Sequence, residues 1–111
     1  RLWQNNKIKE YYSELTEIVR GYIERELKVP ALEKTTDEVL AMIKDFKNLD
    51  SIETSKETIK KLKDLLREAD LVKFAKSKPL AIEIEDDRRD AEFIIGHLKP
   101  KQIIEKEDEL E

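Results

Sequence analysis

Few side chains in this sequence are of types that carry out chemistry unaided. His97 is the only histidine and cysteine is absent. A carboxylate-bridged di-metal bundle needs Glu-x-x-His on a helix, and the residue three before His97 is Ile94. Near the end of a helix, His97 reads as a partner for the negative pole of the dipole. No serine sits in a Gly-x-Ser-x-Gly elbow or beside a recognisable base, and no glycine-rich loop could cradle a phosphate. Glu83, Glu85, Asp86 and Asp87 could be cast as a general acid–base pair. Consecutive acids at a helix start are instead expected to offset the positive pole of the dipole. We therefore assign no catalytic residue, no metal ligand and no cofactor site from the sequence.

The best surface candidate is basic. Lys56, Lys60, Lys63 and Arg67 recur at i, i+4, i+7 and i+11, which puts them on one stripe of a helix. Such a stripe could dock an acidic partner or lie against anionic lipid headgroups, although Asp64 and Glu68 nearby mix its sign. It lacks interleaved aromatics, so single-stranded nucleic acid is a poor fit. The chain's net charge of −4 argues against a general nucleic-acid binder. Tyr11, Tyr12 and Tyr22 read as core-lining residues whose hydroxyls reach solvent.

These residues must be carried by helices. The 111-residue chain is 43% charged and 39% hydrophobic with only two glycines, a balance that suits amphipathic helices in one domain. Apolar residues at Ile8, Tyr11, Tyr12, Leu15, Ile18, Val19, Tyr22 and Ile23 define one face of a first helix that ends at Val29-Pro30. Thr35 with Glu38, and Thr54 with Glu57, have the spacing of capping boxes that start a second and a third helix. The third helix has an apolar arc of Ile59, Leu62, Leu65, Leu66 and Ala69. Beyond it, Lys73 and Lys76 fall where the arc should continue, so we expect a kink, or an extra short helix, after Ala69. Asp70 would cap the new turn, and Asp70 and Lys73 would form a structural hinge. Were Lys73 buried, Asp87 would be its partner. The last helix should begin near Glu83–Asp86 and stop at Pro100. No run of about 18 apolar residues is present to span a bilayer, and no strand is expected.

The fold expected is all-α, a compact bundle of four main helices over residues 1–99. Residues 100–111 are expected to be a disordered tail, in which Leu110-Glu111 has the look of a vector-derived scar.

Two blocks, "LWQNNKIKEYYSELTEIVRGYIERELKVPALEKTTDEVL" and "LLREADLVKFAKSKP", resemble the C-terminal cytoplasmic region of the BatD-like membrane proteins of the Bacteroidetes, of the Bat aerotolerance group. The resemblance covers roughly residues 2–98. Gly21 and the charged stretch 83–89 depart from it, and the family has no catalytic motif to transfer. It implies a single-pass parent with its span just before Arg1 and this domain on the cytoplasmic face of the inner membrane. It also implies partners of the MoxR-type AAA+ ATPase and von Willebrand A-domain classes.

The leading expectation is a non-catalytic protein–protein interaction module that is not an enzyme and takes no nucleic acid. The alternative is a nucleic-acid-binding helical regulator that uses the basic third helix. A hydrolase with unrecognised carboxylates ranks last, and would need a deep polar pocket around Asp87 or His97.

Overall fold

A computed structural model describes residues 2–101, with side chains from Asn6 onward. It is an all-α bundle of four helices: α1 (Leu2–Leu27), α2 (Thr36–Asn48), α3 (Lys56–Lys73) and α4 (Ala81–His97). A single 3₁₀ turn (Ala31–Glu33) leads into α2. α1, α3 and α4 pack against one another, whereas α2 leans on α3. Tyr12, Leu15, Val19 and Ile23 of α1 meet Leu62, Leu65, Leu66, Ala69 and Val72 of α3 and Ala91 and Ile94 of α4 in one core. Val39 and Ile43 extend it under α2. Ile18, expected on the apolar face of α1, is exposed instead.

The capping box at Thr35 forms as its spacing requires. The Thr35 hydroxyl accepts from the Glu38 amide at 3.2 Å, and Glu38 Oε1 accepts from the Thr35 amide at 2.9 Å. At α3 the cap is Ser55, not Thr54. Ser55 Oγ accepts from the Thr58 amide at 3.1 Å and lies 3.0 Å from the Thr58 hydroxyl, while Thr54 Oγ1 is buried without a partner. α4 begins at Ala81, earlier than its acids suggest, with Glu83 Oε1 accepting from the Leu80 amide at 2.7 Å.

The expected kink after Ala69 is absent. α3 runs unbroken through Ala69 and Asp70 to Lys73, and no short helix follows. Val72, three residues after Ala69, is buried and carries the apolar arc onward, while Lys73 is exposed beside it. Asp70 and Lys73 are therefore not a hinge. Asp70 is an interior position of α3, and the stop comes later. The Ala75 amide donates to the Val72 carbonyl at 3.0 Å and the Lys76 amide to the Leu71 carbonyl at 2.8 Å, with Ala75 at φ 61°. That is a Schellman motif with alanine at the left-handed position where glycine is preferred. α2 ends the same way, with Asp50 at φ 58° and the Ser51 amide bonded to the Phe46 carbonyl at 3.0 Å.

One element was not expected. Ile52–Glu53 (β1) and Lys99–Pro100 (β2) pair antiparallel, with Ile52 opposite Pro100 and Glu53 opposite Lys99. The Lys101 amide donates to the Ser51 carbonyl at 2.9 Å, and Lys101 Nζ pairs with Asp50 at 2.7 Å. Pro100 and Lys101 thus belong to the fold, not to a loose tail. Residues 102–111, including Leu110-Glu111, lie outside the described residues. Among the described residues, no helix is long and apolar enough to cross a membrane.

An alanine held in the left-handed region is strained relative to glycine by roughly 1–2 kcal/mol, partly offset by the backbone entropy that glycine loses on folding. Ala75→Gly should therefore stabilise the domain by about 1 kcal/mol, measured as a higher urea midpoint at unchanged m-value. A lower midpoint would show that the turn after α3 is not held in this form.

Candidate functional site

A groove of about 520 Å³ lies between α1, the turn into α2, and the C-terminal half of α3. Its floor is polar and tightly bonded. Arg20 of α1 donates from Nη1 to the carbonyls of Ala31 (3.3 Å) and Lys34, and from Nη2 to the Thr36 hydroxyl at 3.3 Å. The hydroxyl of Thr36, buried at the first position of α2, donates a hydrogen bond to Asp70 Oδ2 on α3 at 2.8 Å. Burial lowers the Arg20 pKa and the carboxylate of Asp70 opposes that shift. The walls carry Lys9, Lys34 and Lys73 with Glu17 and Glu33, and exposed Leu32 and Phe74 are the large apolar side chains among its lining. Lys73 Nζ stands 5.8 Å from the Phe74 ring centroid.

The basic stripe is less basic in space than in sequence. Lys60 pairs with Asp64 at 2.8 Å, which raises the lysine pKa, and Arg67 reaches across to Asp37 of α2 at 2.7 Å. Lys56 and Lys63 are exposed and have no ion-pair partner among the described residues. The sequence could not show that Asp37, thirty residues away, lies opposite Arg67.

A second, smaller cleft of about 310 Å³ is lined by Asp64, Glu68, Ser77, Glu83, Asp86 and Asp87. This is the polar pocket beside Asp87 on which the hydrolase expectation depends. His97 is elsewhere: exposed, stacked on Phe93 at 3.8 Å between centroids, with Nδ1 2.8 Å from the Phe93 carbonyl. Asp87 accepts a hydrogen bond from the hydroxyl of fully buried Tyr12, and not from Lys73. Burial raises the Asp87 pKa to about 6; the Tyr12 hydrogen bond opposes this and the surrounding acids Glu68, Asp90 and Asp86 add to it. Burial, followed by the bond to Asp87, raises the Tyr12 pKa as well. Tyr22 also bonds inside the protein, donating to the Leu98 carbonyl at 2.7 Å. The hydroxyls of Tyr12 and Tyr22 therefore do not reach for solvent as expected. Among the described residues, no group of three or more acidic or histidine side chains is placed to hold a metal ion.

Comparison with protein-family models, with curated proteins and with solved structures finds no match to this chain.

An aspartate whose pKa is raised on folding favours the native state below its unfolded pKa. That contribution is lost as pH rises through the folded value, here about 6. Asp87→Asn keeps an oxygen that can accept from Tyr12 and removes the desolvated charge. It should raise stability at neutral pH by about 1–2 kcal/mol, allowing for partial solvent screening. The gain should shrink as pH falls below 6 and vanish by about pH 3, where wild-type Asp87 is protonated in both states. Thermal melts of the two proteins across this range check it; a variant less stable at neutral pH would contradict the assignment.

Proposed function

We propose that this domain is a non-catalytic interaction module whose binding surface is the α1–α2–α3 groove. The groove's lining carries the reading: three wall lysines against two glutamates, with two exposed apolar side chains, Leu32 and Phe74, over a floor whose polar groups are already bonded to one another. A satisfied, rigid floor asks nothing of a ligand, while exposed apolar side chains and lysines suit an acidic, apolar-edged segment of another protein. The resemblance to the BatD-like proteins supports a membrane-anchored parent whose domain faces the cytoplasm. It also supports a MoxR-type AAA+ ATPase or a von Willebrand A-domain protein as the partner. Lys56 and Lys63, the unpaired members of the basic stripe, offer a second contact for the same partner.

Capture of such a partner by the purified domain tests the reading. Lys9→Glu with Leu32→Glu should weaken capture by roughly tenfold or more, as for an interface centre. Reversal of Lys56 and Lys63 should have a smaller effect that fades with added salt. Undiminished capture by the groove variant would remove the groove from the account, and loss on stripe reversal alone would move the site to α3.

The acidic cleft favours a second reading, general acid–base chemistry by Asp87, whose pKa of about 6 lies near neutrality. Asp87 is committed to Tyr12, however, and the side chains that line its cleft are acids and one serine, with no base of opposite character. We rank this second reading below the interaction module.

A further inference from the structure

Residues 71–82, "LVKFAKSKPLAI", join α3 to α4 and carry three lysines with no acid, in a chain of net charge −4. The same twelve residues hold four of the seven large hydrophobic side chains exposed among the described residues: Leu71 at 43%, Phe74 at 65%, Leu80 at 66% and Ile82 at 63%. Scattered exposed leucines need no explanation, but a cluster of them interleaved with lysines does.

The connection is held at both ends by hydrogen bonds while these side chains stay exposed. The Schellman motif at Ala75 fixes its start, and the bond from the Leu80 amide to Glu83 fixes its end. Between them Pro79 is buried, and half-buried Ser77 turns toward α3, donating to Glu68 at 2.6 Å. The acidic cleft, with Asp64, Glu83 and Asp86 exposed, opens beside Ser77. Lys73, Phe74, Lys76, Lys78, Leu80 and Ile82 are left exposed. The first turns of α1 lie at the same end of the bundle. A cavity of about 160 Å³ is lined by Asn6, Ile8 and Lys9 together with Val72, Ala75, Ser77 and Lys78, so Lys9 adds a fourth cation there.

We propose that the α3–α4 connection is a docking surface for an anionic lipid bilayer, with Phe74, Leu80 and Ile82 entering the headgroup layer and Lys73, Lys76 and Lys78 meeting the lipid charges. Apolar side chains flanked by lysines with long alkyl stems are the chemistry of such contacts. A second copy of the chain is the poorer occupant. A two-fold contact would set two triply basic loops against each other, and one short connection falls well below the roughly 800 Å² per partner of a stable interface.

Flotation of the domain with vesicles of phosphatidylcholine alone, or mixed with phosphatidylglycerol, tests this at neutral pH and low salt. Binding is expected to the mixed vesicles only. Lys76→Gln with Lys78→Gln should weaken it roughly thirtyfold, from about fivefold for each lysine near an anionic surface. Leu80→Asp with Ile82→Asp should abolish it while leaving the fold intact, because aspartate is favoured both at a helix N-cap and in the first turn. Phe74, which also lines the groove, is left unchanged so that failure here is separable from failure of the groove. Absence of binding to mixed vesicles, equal binding to neutral ones, or undiminished binding by the Leu80/Ile82 variant would each overturn the proposal. A concentration-dependent dimer in sedimentation that this variant dissolves would overturn it too, by making a second copy the occupant.

Discussion

The guanidinium of Arg20 holds together what apolar packing alone leaves apart. α2 leans on α3 and makes little direct contact with α1, yet the turn that feeds it must cross α1. That crossing leaves the Lys34 carbonyl outside the helical ladders and gives the Ala31 carbonyl only the 3.3 Å bond from the Lys34 amide that closes the 3₁₀ turn, and a buried carbonyl without a donor costs about 1–3 kcal/mol. Arg20 reaches both, and touches Thr36, which in turn bonds Asp70. One charge from α1 thus fixes where α2 begins, and through Asp70 sets α2 against α3. The floor of the groove is this network seen from solvent.

About two turns earlier on α1 a less comfortable bargain holds. Tyr12 packs fully within the core and must place its hydroxyl, and the acceptor α4 supplies is a carboxylate surrounded by other carboxylates. The tyrosine gains a partner; the aspartate stays charged in an environment that resists charge. Elsewhere α4 balances its acids with nearby cations: Arg88 bridges Glu85 and Glu92, and Lys61 reaches Asp90 at 3.3 Å. Asp87 turns to Tyr12, and among the described residues no cation pairs with it.

What could be read in advance followed from local chemistry. The Thr35–Glu38 box, the apolar arcs of the helices and the four-helix count all depend on spacing within a few residues. The misreadings came where neighbours compete or where distant residues meet. Thr54 and Ser55 both have the chemistry of a cap, and only Ser55 stands at the correct distance from the Thr58 amide. At the end of α3, Lys73 drew the eye four residues beyond Ala69, while Val72, three beyond, kept the arc in phase. The stop itself was hidden because alanine occupies a place where glycine would have announced it. The Arg67–Asp37 pair, the Tyr12–Asp87 bond and the bonds of the Arg20 network span 30, 75 and up to 34 residues of sequence. No periodicity within one helix encodes them.

The short β1–β2 ladder fixes where Lys101 sits. Asn6 to Lys9, early in α1, lie beside the α3–α4 connection, whereas Lys101 is bonded to Ser51, and Tyr22 to Leu98, toward the far end of the same helix. With α1 about 39 Å long at 1.5 Å per residue, the domain is a strut with Leu2 and Lys101, its first and last described residues, toward opposite poles. Tension between those ends would load the packing of α1 on α3 and α4 in shear along the helix axes, instead of peeling one helix away. Anything joined at the two poles would be held apart by the length of the first helix.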